Sequence, residues 1–164
     1  MSDKPTLPER VQASYRQLSI AATGLNSASD ELGETISQLN AALEPLNLGV
    51  AAWVQITGDA DEWDNYWSRD IGYAKVGNEW GIALRTRSGN AQDSEPDREE
   101  SWPFNGAPRW LRVEGIGKIP ELLEKLIKQA EETTKRIKQK TAEAKELAAA
   151  IKAAAAESTP AKRK

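Results

Sequence analysis

The sequence predicts an α+β fold in which two long antiparallel, coiled-coil-like helices, one at each end, flank a small antiparallel β-sheet head. Three observations carry this prediction. Apolar residues recur in steps of four and three over residues 6–45 and again over 118–157. The stretch between them alternates with period two. Nine of the ten aromatic residues lie in that middle stretch, between Trp53 and Trp110.

The first helix is announced by Thr6-Leu7-Pro8-Glu9, a Thr-x-x-Glu capping box with proline in the first turn, where its missing N–H is not needed. Residues 1–5 precede it and are expected to be disordered. One apolar seam then runs through Val11, Tyr15, Leu18, Ala22 and Leu25, passes the polar Ser29, and continues through Leu32, Ile36, Leu39, Leu43 and Leu46. Gly24, Asn26 and Ser27 weaken the helix locally without changing the phase of the seam, so one helix ending near Pro45 is expected.

Residues 46–117 form the predicted head. Leu48, Val50, Ala52, Val54 and Ile56 mark a first strand, residues 69–76 a second and 79–87 a third. Gly77-Asn78 joins the last two as a two-residue loop of type II′. That turn sets Asp70 opposite Arg85, Ile71 opposite Leu84, Tyr73 opposite Ile82 and Lys75 opposite Trp80. One face is then large and apolar. The other, Gly72, Ala74, Gly81 and Ala83, is nearly bare, as where something bulky approaches, and is the candidate ligand face. Residues 88–101 are acidic and almost free of apolar side chains, which reads as a long mobile loop. Residues 108–117 fit either a strand or a short helix opening at Pro108, with the balance towards helix.

The second long helix is expected over 118–157, with a smaller seam: Leu123, Ile127, Ala130, Thr134, Ile137, Thr141, Ala144, Ala148, Ile151 and Ala155. Both helices would be on the order of 57 Å long at ~1.5 Å per residue. Large side chains against small ones suit close pairing, as an in-chain antiparallel hairpin or between subunits of a homo-oligomer. Residues 158–164 end the chain as an expected disordered basic tail.

Composition limits the chemistry. There is no cysteine and no histidine, which removes thiolate nucleophiles, disulfides, and the commonest general base and metal ligand. The net charge of −3 is unevenly spread: residues 1–45 carry three basic and six acidic side chains, 46–117 seven and twelve, and 118–164 twelve and seven. The opening residues lack a basic region followed by an apolar run, and no stretch approaches a membrane-spanning length, so a cytoplasmic location is expected.

The segment Gly58–Ser68 sets Trp63, Tyr66 and Trp67 among four acids and no basic residue. Aromatic rings in such a loop suit a protein partner, with Asp61 and Asp64 steering encounter. The same acids fail the EF-hand spacing, since Trp63 and Asp64 stand where a ligand and the glycine belong. No phosphate loop, dinucleotide fingerprint or nucleophile elbow occurs. No metal, cofactor or catalytic residue is therefore expected. The lysines of the second helix spread around it and alternate with glutamates, which disfavours a nucleic-acid groove.

The order of long helix, strands and long helix resembles prefoldin-type chaperone subunits in outline. The likeness is one of architecture without a shared motif, and architecture does not carry function. The expected function is a non-catalytic interaction or adaptor protein: a helical stalk presenting an aromatic head to a protein partner. The alternatives are small-molecule or peptide binding by the head, and association with nucleic acid through the basic C-terminal segment.

Overall fold

A computed structural model describes residues 4–158; the expectations for residues 1–3 and 159–164 lie outside the described residues. Helix α1 (Leu7–Leu43) opens with the expected capping box, the Thr6 N–H donating to the Glu9 carboxylate at 2.7 Å and the Thr6 hydroxyl at 2.9 Å. It passes through Gly24, Asn26 and Ser27 as one helix, and a 3₁₀ turn, Glu44–Leu46, closes it.

The head is a four-stranded antiparallel sheet in the order β1-β2-β3-β4, with β1 Ala52–Ala60, β2 Asn65–Val76, β3 Glu79–Asn90 and β4 Arg98–Pro103. The β2–β3 register is the one the turn predicts, from Asp70 opposite Arg85 to Lys75 opposite Trp80. Gly77 takes φ 65° while Asn78 stays out of the left-handed region, as a type II′ turn requires.

The strands depart from expectation at their ends. β1 starts at Ala52 rather than Leu48 and runs to Ala60, and β2 starts at Asn65 rather than 69. A bulge between Gln55 and Thr57 gives β1 one extra residue there, shifting its alternation. The acidic stretch 88–101 is not one loop. β3 continues to Asn90 and β4 begins at Arg98, where Glu99 lies opposite Arg87. Acids on a strand end are readily accommodated when cross-strand arginines face them, and composition alone does not reveal that pairing.

Helix α2 (Arg109–Gly115) follows Pro108, and a 3₁₀ turn leads into α3 (Ile119–Glu157). The core lies on one face of the sheet. Val54, Ile71, Ile82 and Leu84 meet Ile36 of α1, Leu111 of α2, and Leu122 and Leu126 of α3, with Phe104 filling the gap. Each helix also closes a sheet edge. Asn40 Oδ1 accepts the N–H of Ile82, and Lys125 Nζ donates to the Trp53 carbonyl at 2.6 Å.

The two helices do not pair along their lengths. α3 turns Leu122 and Leu126 to the sheet, one position off the expected seam, and leaves Ile127 and Ile137 exposed. On α1 the seam is used only where the head meets it. Ile36 is buried and Leu32 packs on the core, whereas Val11, Tyr15, Leu18 and Leu25 are exposed. On α1 the heptad rhythm marks the face that the head covers near Ile36; on α3 it marks a face that stays exposed, because the sheet takes the neighbouring one through Leu122 and Leu126. Among the described residues, no helix is long and apolar enough to cross a membrane.

Candidate functional site

The aromatic acidic segment is the β1–β2 hairpin rather than a loop. Asp61 Oδ1 accepts the N–H groups of Trp63 and Asn65, both at 2.9 Å, and Asp64 takes φ 61°, which folds the turn tightly. The Asn65 side-chain amide also donates to Asp61, and this bond first, with the two backbone bonds, holds its carboxyl below the usual carboxylate range against the opposing effect of desolvation. Asp64 receives a short bond from the Gln92 amide. Trp63 projects from the tip and is 73% exposed.

Tyr66 and Trp67 lie on β2 and point to opposite faces. A hydrogen bond to Asp97 raises the Tyr66 hydroxyl above its ordinary value. Trp67 is the end of a stack: the Arg69 guanidinium lies 5.2 Å from its ring and 4.5 Å from that of Trp110, and Glu114 holds Arg69 at 3.1 Å. The three rings thus do not form one patch. Trp63 is free, Tyr66 is tied and Trp67 is half covered.

The small-residue strip is covered by protein. The Trp53 indole lies on Gly72 so closely that a Cβ there would fall inside its ring contacts and 2.6 Å from the Ala52 carbonyl. Asn40 stands beside Gly81, and Ala74 and Ala83 are buried. Beside Trp53, however, the same face opens into a concavity of about 390 Å³. Asp70, 2% exposed, sits at its base and receives Arg85 Nε at 2.8 Å and Arg87 Nε at 3.2 Å on one carboxylate oxygen. Arg85 is clamped further, its guanidinium lying 4.0 Å over the Trp53 ring. Lys125 reaches the rim from α3.

A second cavity, of about 550 Å³, opens between the C-terminal end of α1 and the β2–β3 turn. Tyr73 and Trp80 stack at its wall with centroids 5.8 Å apart. Burial, and then the nearby Glu44, raise the Tyr73 hydroxyl above its ordinary value.

Sequence reading brought Asp70 and Arg85 together through the hairpin register and passed over Arg87, Trp53 and Lys125. Arg87 was available to the same reasoning, being two residues along the same strand and so on the same face. Lys125 was not, because its place depends on how α3 docks beside β1. Among the described residues, no three acidic side chains gather where they could hold a metal ion. No family model matches the chain, and no curated protein or solved structure matches it either.

Proposed function

We propose that this chain is a non-catalytic interaction protein, an adaptor in which a rigid sheet head holds two amphipathic helices ready to pair with those of a second copy. The observation that carries this reading is the α1 stripe. The face that buries Ile36 against the head continues outward as Leu25, Leu18, Tyr15 and Val11, with Leu18 65% and Tyr15 71% exposed. An apolar stripe of this length left in water marks an association surface.

The occupant assigned to it is α3 of another copy, because the two helices complement each other. They span 37 and 39 residues, and the outer half of α3 offers small Ala and Thr where α1 offers Leu, Val and Tyr. Their net charges also differ in sign, if modestly: residues 7–43 carry four acids and two basic residues, and residues 119–157 seven acids and eight basic residues. Reciprocal pairing, α1 of each copy against α3 of the other, is a self-complementary contact that closes as a symmetric dimer.

Sedimentation velocity over a range of concentrations tests this. The wild-type chain is expected to associate as concentration rises, and Leu18→Glu to remain monomeric with an unchanged tryptophan emission spectrum. A chain that stays monomeric throughout, or one whose association ignores Leu18→Glu, overturns the reading.

A further inference from the structure

We propose that the concavity over Asp70 is a binding site for a compact dianion of the phosphate type, carried by Arg85, Arg87 and Lys125. The argument begins with charge. Two guanidiniums converge on a single buried carboxylate oxygen, and the second carboxylate within reach, Glu99, is half exposed, so the two positive charges are incompletely neutralised within the concavity. Lys125 adds a positive charge that faces no carboxylate, because its ammonium donates to the neutral Trp53 carbonyl. The nearest other acid is Glu99, 3.9 Å from Arg85 Nη1 and half exposed at the rim. It offsets part of this excess from outside the concavity.

The geometry is that of a prepared receptor. Both arginines engage Asp70 through Nε, which leaves their terminal nitrogens without a hydrogen bond to any described residue. The Arg85 side chain is only 15% exposed and is fixed on two sides, by Asp70 and by the Trp53 ring, so little rotamer freedom remains to be lost on binding. Planar guanidinium forks of this kind match the paired oxygens of a phosphate or carboxylate. Gln55 and Gln129 line the same concavity and supply neutral donors. Counting Glu99, the excess is one positive charge, and a phosphate is favoured over a monocarboxylate because its additional oxygens can reach Arg85, Arg87 and Lys125 together.

This site is independent of association through the helices. Its test is isothermal titration of the full chain with inorganic phosphate, against acetate and chloride at equal ionic strength. Phosphate is expected to bind at one site per chain. Arg87→Gln and Lys125→Gln should each weaken it by about tenfold, the order of one lost charge-assisted contact, while Glu99→Gln should tighten it. Near-ultraviolet circular dichroism of each variant confirms that the Trp53 environment persists. Phenyl phosphate in place of inorganic phosphate separates the two sources of the dianion, tighter binding assigning the site to an ester and equal or weaker binding to the free ion. Phosphate that does no better than acetate or chloride, or that binds the folded Arg87→Gln and Lys125→Gln variants as well as wild type, overturns the proposal.

Discussion

Asn40 Oδ1 accepts the backbone N–H of Ile82 at 2.8 Å, at the residue of β3 just beyond the last one that β4 pairs. The bond ties α1 to the sheet where an edge amide would otherwise be left in a partly buried place. Asn40→Leu removes the acceptor and should cost about 1–3 kcal/mol, the range for stranding a buried polar group. Asn40→Asp keeps an acceptor and should cost less. Denaturant midpoints of the two variants check the order; equal loss would mean that the side chain matters for its packing and not for this bond.

Two glycines should respond in opposite directions to alanine. At Gly72 a methyl group would meet the Trp53 ring and the Ala52 carbonyl, and the second of these is backbone and cannot swing aside. Gly72→Ala is expected to cost about 1–3 kcal/mol, as overpacking does. Gly24 sits inside α1 with nothing within 4 Å of an added Cβ. Gly24→Ala should stabilise the chain by about 0.5–1 kcal/mol through helix propensity and a less flexible unfolded state. Thermal unfolding of both variants tests the pair, and a shift of the same sign in each would contradict this placement of the two residues.

Much of this fold can be read from local chemistry. The Thr6/Glu9 box, the Gly77-Asn78 turn and the pairing of Asp70 with Arg85 each follow from a few neighbouring residues, and each is found where expected. What could not be read depends on docking. The spacing of Leu123, Ile127 and Ile137 describes an apolar face of α3 as well as Leu122 and Leu126 do, and only the approach of β1 and β2 selects the second set. The concavity over Asp70 has the same history. Its arginines share a strand face, but its lysine arrives from a helix more than thirty residues away in sequence.

The selection between those two faces of α3 gives a measurable contrast. Leu122 is buried among sheet residues, and Leu122→Ala should cost about 2–5 kcal/mol. Ile137 is 61% exposed, and in dilute solution Ile137→Ala should stay within about 0.5 kcal/mol of wild type. At concentrations where chains associate, Ile137→Ala should weaken association while leaving monomer stability alone. A large loss at Ile137 in dilute monomer would show that the outer part of α3 packs within its own chain.

Acid should loosen the β1–β2 hairpin through Asp61. Its folded carboxyl is held below the ordinary value, chiefly by the Asn65 side-chain amide. A depressed folded pKa means that the contribution is fully present above the unfolded value and is lost as pH falls through the folded one. The backbone N–H resonances of Trp63 and Asn65, which donate to Asp61, should therefore move together at a pH below the usual aspartate midpoint. Asp61→Asn should abolish that shared transition. Amide shifts that titrate at the ordinary aspartate value, or independently of each other, would rule out the bonded turn.

The tip of the same hairpin should stand out among the six tryptophans. Trp63 is the most exposed of those that project into solvent, while Trp67 gains cover from Arg69, and Arg69 is held in turn by Trp110 and Glu114. Trp63→Ala should accordingly change stability by less than about 0.5 kcal/mol, the range of surface substitutions. Trp67→Ala should cost somewhat more, about 0.5–1 kcal/mol, because a cation–π contact goes with it. Asp61, Glu62 and Asp64 surround the Trp63 ring with negative charge, which attracts cations and repels anions over roughly a Debye length. Relative to their quenching of free N-acetyltryptophanamide, caesium should therefore quench the Trp63 fraction of the emission more strongly than iodide at low salt, with the difference shrinking as salt is added. Subtracting the Trp63→Ala signal from wild type isolates that fraction. If the two ratios to the free derivative are equal at low ionic strength, the acids do not shape the field at this ring, and they would not steer a basic partner to it either.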